Sequence, residues 1–308
     1  MDEKSLTQAI GGLIFEAAPE RRTEIADLWQ NYAPQFSRMS DKDGFAIEAG
    51  PWGLILFTPR TMGQIWILGF AAWRALEAYC PYVLLCSEIA PSLMADVPDQ
   101  AEADAALGEE LRKVEELRNI DCVDAFDWPS GIPEPSASLP KAARERAIVD
   151  SIKIASAYVF LHEIRHVMFA SSAERPVNIK AEELECDGFA RGFLLDRIPD
   201  YCTATGEAQD AVLNKRLVGL ALGGFILLQV TKDRDGSESH PAVAERLRGL
   251  TQNEGGDGKS YPWVYACCLL LSVLRREEKL PPRLAFSDPR DLFEKMVLLL
   301  QQDCLAAK

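Results

Sequence analysis

Apolar positions recur with a helical spacing along most of this chain. Residues 5–33 predict one or two amphipathic helices interrupted near Pro19, because proline ends or kinks a helix. Residues 60–80 predict a long and strongly apolar helix, whereas residues 101–118, rich in Ala, Glu and Leu, predict an exposed helix. Helical patterns resume at Lys141 and continue almost to the C-terminus. The pattern is typical of a mostly helical protein.

A small sheet and several loops interrupt this pattern. Two short apolar runs within residues 44–59 flank a Gly-Pro-Trp-Gly turn at 50–53, which predicts a β-hairpin. Residues 127–140 hold four prolines in fourteen positions and predict a loop, either a plain connector or a lid. Residues 231–239 and 251–260 also have the composition of loops. We therefore expect an α+β fold that is mostly α.

Charge and cysteine content narrow the class of protein. The net charge of −14 disfavours binding to nucleic acid or to anionic membranes, because like charges repel. None of the eight cysteines forms a Cys-x-x-Cys pair, and most lie among apolar residues, as expected for reduced thiols of a cytosolic protein. The acidic N-terminus does not resemble a signal peptide.

The two most apolar stretches, 216–230 and 263–274, are shorter than the roughly 20 residues that a membrane span needs. They predict helices buried in the core. Together with the charge and the cysteines, they indicate a soluble, cytoplasmic protein that binds neither nucleic acid nor membrane.

Candidate chemistry lies in the segment Leu-His-Glu-Ile-Arg-His at 161–166, within a helix predicted over 141–172. Residues four apart share one face of a helix, so His162 and His166 can bind one metal ion through their imidazole nitrogens. Glu163 stands beside them and can act as general base on a water molecule. The surrounding apolar residues indicate burial, where a metal would satisfy groups that are costly to leave unpaired. The alternative is a pair of hydrogen-bonded core histidines.

A catalytic zinc usually has three protein ligands, so a third ligand is expected outside this motif. The metzincin motif continues with glycine three residues after the second histidine and with a third histidine six residues after it. Phe169 and Ser172 stand at those positions, so this class is excluded. An acidic cluster lies on an amphipathic helix predicted over 181–195, and its candidate ligands are Glu182, Glu183, Glu185 and Asp187.

Glu183 and Asp187 are four residues apart and share a face of this helix. If Glu183 binds the metal, Asp187 can hydrogen-bond the far nitrogen of a histidine and fix its orientation. For Glu182 and Glu185 we expect an ordinary solvated face. Imidazole and carboxylate ligands suit zinc, and also iron, cobalt or nickel.

The third histidine, His240, precedes Pro241, a good first residue for a helix. One interpretation makes His240 a helix cap. The other places His240 or Arg246 in the cleft, where either residue could stabilise the oxyanion of a tetrahedral intermediate or hold a catalytic carboxylate.

Three segments, HEIRH, then ELECD followed by GFARGFLL, then SHPAVAERL, together resemble the gluzincin metallopeptidases of family M48 and of the ImmA/IrrE type. Cys186 stands where those families usually have alanine, another small residue. The length of the chain, the central motif, and the hairpin and Trp-rich helix before it most resemble the Lit-type phage-exclusion peptidases of family U49.

The resemblance implies a zincin-like core with a small sheet packed on the active-site helix. It also implies roles for five residues: zinc ligation by His162, His166 and Glu183, general base catalysis by Glu163, and support of a ligand by Asp187. It further implies a soluble zinc endopeptidase that cuts one intracellular protein. In phage exclusion, that substrate would be a host translation factor, such as an elongation factor, and a phage-derived activator would trigger the cut.

Two alternatives stay open at this point. One is an ImmA/IrrE-like protease that cleaves a transcription repressor. The other is a non-catalytic binding module stabilised by zinc, although such a site needs no carboxylate beside the metal.

We expect one metallopeptidase domain over residues 1–308, because no change of composition divides the chain. Its expected parts are N-terminal helices and hairpin (1–95), an exposed helix with the Pro-rich loop (96–140), a zinc-binding catalytic core (141–251) and C-terminal helices (252–308).

Overall fold

Helices dominate the protein, as the spacing of apolar residues predicts. A computed structural model describes residues 3–39, 44–89, 92–94, 100–120, 122–135, 140–172, 175–251 and 258–301. Within these residues the helices are α1 (Glu3–Ala17), α2 (Arg22–Tyr32), α3 (Pro59–Ile89), α4 (Ala101–Asn119), α5 (Ala143–Ala170), α6 (Ile179–Leu195), α7 (Ile198–Thr205), α8 (Gln209–Val230), α9 (Val243–Thr251), α10 (Tyr261–Arg276) and α11 (Pro289–Leu300). The strands are β1 (Gln35–Arg38), β2 (Ile47–Ala49), β3 (Leu54–Phe57), β4 (Ser92–Met94) and β5 (Arg283–Ala285). The α+β, mostly α, fold class is confirmed.

The predicted hairpin is present and belongs to a three-stranded sheet. Strands β2 and β3 pair antiparallel, and β1 pairs parallel with β3, so the order is β1-β3-β2. The N–H of Gly50 donates to the carbonyl of Leu54 at 2.6 Å and therefore faces β3. Because backbone groups alternate in direction along a strand, those of Ala49 and Ile47 face away from β3. Strand β2 is thus the edge strand that borders the helices of the site.

Two groups of buried apolar side chains make up the core. The first packs α3 and α4 against α8, α10 and α11. The second packs the sheet and α1 against α5, α6 and α7. Phe160 of α5 meets Phe36 of β1 and Phe57 of β3 edge-on, in both cases with ring centroids 5.6 Å apart. The small sheet therefore lies on the helix that carries the His-Glu motif, as expected.

Helix α4 is less exposed than its composition predicts. It buries Leu107, Leu111, Val114 and Leu117 against the rest of the core. These residues follow the three-four spacing of an apolar helix face. Most of the glutamates lie on the opposite face, but Glu110 is buried and pairs with Arg74. The prediction of an exposed helix was therefore wrong for this side of α4.

Helix α8 contains the apolar stretch 216–230, for which a core helix was predicted. With 22 residues, it is the one helix in the described part of the chain that is both long and apolar enough to cross a membrane. More than half of its most apolar window, 56%, is nevertheless buried inside the protein. Its buried Arg216 pairs with Glu20, with Nη1 and Oε1 2.6 Å apart. These contacts are those of a core helix.

The described part of the Pro-rich loop, residues 127–135, has neither helix nor strand. It packs on α3, where the indole N–H of Trp66 donates to the carbonyl of Pro133 at 2.7 Å. None of these residues lines the cleft described below, so their position does not support a lid. Residues 136–139 of the loop lie outside the described residues.

Candidate metal centre and active site

Helix α5 places two histidines and a glutamate on one turn. The Nε2 atoms of His162 and His166 are 3.2 Å apart, as their four-residue spacing predicts. Both rings point toward α6, where Glu183 faces them. Its Oε2 lies 3.5 Å from Nε2 of His162, and its Oε1 lies 3.3 Å from Nε2 of His166. The structure thus brings together the three predicted ligands.

These separations fit a tetrahedral metal ion. Zinc bonds of about 2.0–2.1 Å to nitrogen or oxygen, at tetrahedral angles, put neighbouring ligand atoms roughly 3.3 Å apart. The two imidazole nitrogens and the carboxylate of Glu183 lie at 3.2, 3.3 and 3.5 Å from one another. Two nitrogens and one carboxylate also match the donor set of catalytic zinc sites that keep a position open. The residues present therefore fit the ion.

Each imidazole also forms a hydrogen bond to a carboxylate through Nδ1, the nitrogen that does not face the other histidine. The Nδ1–H of His162 donates to Oδ1 of Asp187 at 2.9 Å, and that of His166 donates to Oε1 of Glu182 at 2.8 Å. Such bonds fix the orientation of both rings and aim their Nε2 atoms at the same point. Asp187 occupies the predicted position.

The interpretation of Glu182 as a solvated acid was wrong. Its side chain is only 15% exposed and is bound to His166. Glu185, three residues further along α6, is exposed, as expected. The packing of α6 against α5 turns two successive glutamates, Glu182 and Glu183, toward the same histidine, and spacing along one helix does not predict this.

Asp187 holds several buried groups together. The guanidinium of Arg246 donates to it twice, from Nε to Oδ2 at 2.7 Å and from Nη2 to Oδ1 at 2.8 Å. The hydroxyl of Tyr158 also donates to Oδ1, at 2.5 Å. Burial would raise the pKa of Asp187, but the bonds from Arg246 and His162 hold it well below its usual range. Tyr158 was not among the predicted site residues, although it lies one helical turn before His162 on the same face.

Glu163 is tied to the sheet. The backbone N–H of Ala49, on the edge strand β2, donates to Oε2 of Glu163 at 2.8 Å. Burial raises the pKa of Glu163, and the two neighbouring histidines oppose that effect. Because Ala49 makes this contact through its backbone, no side-chain motif in the sequence predicts it.

Contacts with carboxylates outweigh burial in setting the pKa of both histidines. Burial alone would lower the pKa of His162, but its bonds to Asp187 and Glu183 raise it to about 9. Burial opposes protonation of His166 as well, and its contacts with Glu183 and Glu182 raise its pKa to about 9. Without a metal, the neighbouring carboxylates therefore favour the protonated, cationic form of the imidazoles.

His240 reaches the site from the loop before α9. Its Nε2 lies 3.9 Å from Oε1 of Glu183, and its side chain is 58% exposed. Helix α9 begins only at Val243, so the interpretation of His240 as a helix cap was wrong. The loop carries the ring to the mouth of the cleft instead.

Cys186 is a second nearby donor. Its sulfur and nitrogens of His162 and His166 lie within 4.8 Å of one another. Burial raises the pKa of this thiol to about 12, whereas the histidines and Arg246 hold the pKa of Glu183 well below its usual range, although burial opposes them. A metal ion binds the ionised form of each group, so Glu183 is the better ligand.

The site opens into a cleft of about 580 Å³ between β2, α5, α6 and α8. Its polar lining residues include the histidines, the acidic groups and Arg246. Its apolar lining residues include Phe45, Ile47, Ile226 and Val230. An extended chain with both polar backbone and apolar side chains fits such a cleft.

Comparisons with known proteins identify the family of this chain. The family model for Peptidase U49 matches residues 55–266, which include every predicted site residue but not Ala49. The chain is 22% identical over 254 residues to the "Cell death peptidase" of Escherichia coli (strain K12), covering 79% of this chain and 78% of that protein. No solved structure matches the chain significantly. The resemblance read from the sequence is confirmed, and the chain belongs to the peptidase U49 family of proteases.

Proposed function

We propose that this peptidase is a zinc endopeptidase in which His162, His166 and Glu183 bind the metal. The observation that carries the proposal is the close approach of the two Nε2 atoms, 3.2 Å apart, to the carboxylate of Glu183, whose Oε1 and Oε2 lie 3.3 and 3.5 Å from them, with Glu163 on the same helical turn. The bonds that orient both imidazoles add support, because ligand histidines almost always have such partners.

When bound, zinc supplies a Lewis acid that makes hydroxide available near neutral pH. Glu163 takes the proton of the attacking water and passes it to the leaving amine. Its burial and raised pKa suit both transfers, because they make the carboxylate a stronger base than an exposed one. Once substrate displaces the hydrogen bond from Ala49, Oε2 of Glu163 is free to accept that proton.

His240 and Arg246 stabilise charged groups in and around the proposed metal site. His240 lies at the mouth of the cleft, where its ring can donate to the oxyanion that forms on the substrate carbonyl. Arg246 neutralises Asp187, lies 3.5 Å from Glu183, and so keeps both buried carboxylates ionised.

The substrate we propose is a specific protein of the cytoplasm. Membership of family U49 and the name "Cell death peptidase" of the relative support a role in phage exclusion. In that role a phage-derived activator triggers cleavage of a host translation factor, for which an elongation factor is our candidate.

Metal content tests the proposal directly. Wild type, His162→Ala, Glu183→Ala and, as a control, Cys186→Ala would be purified without chelator and measured by inductively coupled plasma mass spectrometry. We expect one zinc per wild-type chain, little or none in the first two variants, and full content in Cys186→Ala. Cleavage of candidate proteins by wild type, and not by Glu163→Gln, would then show the activity.

Other outcomes would change the proposed ligand or metal, or overturn the proposal. Zinc lost in Cys186→Ala but kept in Glu183→Ala would make the thiol the third ligand. A different metal at one equivalent would change the ion and keep the site. Absence of any metal from the wild type would overturn the zinc mechanism.

A further inference from the structure

We infer that Ser239, supported by Ser237, is a positioning residue that fixes the imidazole of His240 as a hydrogen-bond donor at Nε2, directed into the cleft. The use of that donor in catalysis rests on the proposed peptidase function. The orientation of the ring is a property of the loop alone and can be measured without any substrate.

The loop between α8 and α9, residues 231–242, is tied to the helices around it. Arg234 donates from Nε to the carbonyl of Leu228 at 3.2 Å and pairs through Nη1 with Oε1 of Glu277 at 2.7 Å. The N–H of Val243, the first residue of α9, donates to the carbonyl of Arg234 at 2.9 Å. The loop is therefore closed on itself and anchored to the ends of α8 and α10.

A glycine lets the loop fold tightly against the backbone of His240. Gly236 has φ 87°, in the left-handed region that favours glycine. A Cβ at this position would lie 2.8 Å from both the carbonyl oxygen of His240 and the backbone nitrogen of Ala242. The N–H of Ser237 donates to the same carbonyl at 3.0 Å. The backbone that carries the imidazole is thus held in place on the side of the turn.

The hydroxyl of Ser237 is the donor in its contact with Ser239. The backbone N–H groups of Ser239 and His240 both donate to Oγ of Ser237, at 3.3 and 3.2 Å. A hydroxyl oxygen has two lone pairs, and these two bonds occupy both of them. The Oγ atoms of the two serines are 3.2 Å apart. Because Ser237 has no lone pair left, its proton is directed to Ser239.

The proton of Ser239 is in turn directed to His240. The Oγ of Ser239 lies 2.8 Å from Nδ1 of the imidazole. Hydroxyls that donate in the same direction strengthen one another, so Ser239, which accepts from Ser237, is a better donor to the ring. When Nδ1 accepts this bond, a neutral imidazole carries its proton on Nε2. The two serines therefore select one tautomer of His240.

The charge near Nε2 favours the same tautomer. Nε2 of His240 lies 3.9 Å from Oε1 of Glu183, and both residues line the cleft. A proton on Nε2 is attracted to that carboxylate, whereas a lone pair there would be repelled by it. The serine hydroxyls on one side of the ring and the carboxylate on the other thus independently make Nε2 a donor.

A donor at Nε2 decides what His240 can do in the cleft. A metal ligand needs a lone pair on the nitrogen that binds the ion, so this tautomer does not bind zinc through Nε2. The position that His162, His166 and Glu183 leave open is then kept for water and substrate. The N–H of His240 can instead bind the oxyanion, which forms only in the transition state. Ser239 contributes to this step through His240.

Nuclear magnetic resonance reads the tautomer directly, and the chain has only three histidines to assign. Long-range proton–nitrogen correlation of protein labelled with ¹⁵N in the histidine rings would be recorded for wild type, Ser239→Ala and Ser239→Thr. Ser151→Ala is the control, because Oγ of Ser151 is exposed and donates to the carbonyl of Ala147 within α5 at 3.0 Å. The signal of His240 is the one missing from His240→Gln. The pH is raised until its shifts stop changing, so that the neutral ring is read.

We expect the Nε2–H form of His240 in wild type, Ser239→Thr and Ser151→Ala, and a mixture of both tautomers in Ser239→Ala. An Nδ1–H form in the wild type would overturn the inference. So would ring shifts of His240 in Ser239→Ala that equal those of the wild type. Tm and zinc content are measured on every sample, which distinguishes loss of the fold from loss of the hydrogen bond.

Cleavage kinetics test the use of the donor, on the peptide that zinc-loaded wild type cleaves best in a digest of a bacterial proteome. Ser239→Ala should lose about tenfold in kcat with little change in KM, because the oxyanion is bound only in the transition state. Ser239→Thr keeps the hydroxyl and should restore most of the wild-type kcat, and Ser151→Ala should not change it.

The two measurements separate this inference from the peptidase proposal. A tautomer that depends on Ser239, without any cleavage by wild type, would leave the assignment of His240 and refute the peptidase mechanism. Cleavage with the same kcat in Ser239→Ala and wild type would refute the positioning role and leave the peptidase. Absence of both cleavage and the Nε2–H form would refute both.

Discussion

Arg246 binds Asp187 through two parallel hydrogen bonds, from Nε to Oδ2 at 2.7 Å and from Nη2 to Oδ1 at 2.8 Å. Asp187 in turn accepts from Nδ1 of His162 at 2.9 Å. A chain of charge-assisted bonds therefore runs from α9 through α6 to a proposed metal ligand on α5. The position of His162 thus depends on a largely buried guanidinium that does not contact the histidine directly.

Arg246→Lys keeps the charge but cannot reproduce the paired bonds, because lysine is a point charge and not a planar fork. We expect zinc affinity and kcat/KM to fall by about 10–100-fold, as when other supports of ligand histidines are removed. Zinc titration by calorimetry and peptide cleavage would measure the two effects. Arg248→Lys, on the same helix and paired with Glu294 at 3.1 Å, is the control that should change neither.

Glu182→Gln removes the charge that orients His166. The amide oxygen can still accept from Nδ1, so the fold should be kept while zinc binding weakens by about tenfold. The exposed neighbour on the same helix gives a matched variant, Glu185→Gln, which should bind zinc as wild type does. Equal affinities for the two variants would show that Glu182 has no influence on the ligand.

Glu163→Gln keeps the shape of the proposed base and removes its proton acceptor. We expect zinc content and Tm to stay close to wild type, and kcat to fall by about 10²–10⁴-fold, the usual contribution of a general base. The two quantities are measured on the same preparation. A variant that keeps its zinc and more than half its activity would exclude Glu163 as the base.

The metal-free protein should lose stability as pH rises. The pKa of both His162 and His166 is raised from 6.5 to about 9, so their charged contacts stabilise the fold fully below pH 6.5 and are lost through pH 9. The charged and titratable groups that face these rings are Glu163 on α5, Glu182, Glu183 and Asp187 on α6, and Arg246 and His240 on and before α9.

Thermal unfolding in excess chelator, from pH 6.5 to 9.5, tests this prediction, with His166→Gln expected to show a smaller fall in Tm. Zinc affinity should change in the opposite sense and rise over the same range, because the ion binds neutral imidazoles and must displace their protons. A flat Tm for the metal-free wild type would contradict the assigned charge states.

Local periodicity explains how much of this site could be read from the sequence. His162, Glu163 and His166 share one turn, and Glu183 and Asp187 are likewise four apart, so helix geometry alone places each group on one face. The relative placement of two helices has no such rule. For that reason the bond between Glu182 and His166 was not foreseen.

Contacts between segments that are far apart in the chain could not be predicted from the sequence either. Ala49 acts through its backbone N–H, which any residue except proline would offer. The cap interpretation of His240 followed from Pro241, a local signal that the actual start of α9 at Val243 overrides. The hairpin itself was predicted, whereas the parallel pairing of β1 with β3 joins residues too far apart for a turn motif to reveal.

The order of the site along the chain has a consequence for its biosynthesis. The proposed ligands and Asp187 all fall between residues 162 and 187, whereas Arg246 follows 59 residues later. A ribosome therefore releases the ligand helices before the arginine that aligns them has been made. Domains fold largely from the N-terminus during synthesis, so the nascent chain can capture an ion before it can position one. The alignment of His162 by Arg246 through Asp187 therefore becomes possible only after residue 246 has left the ribosome.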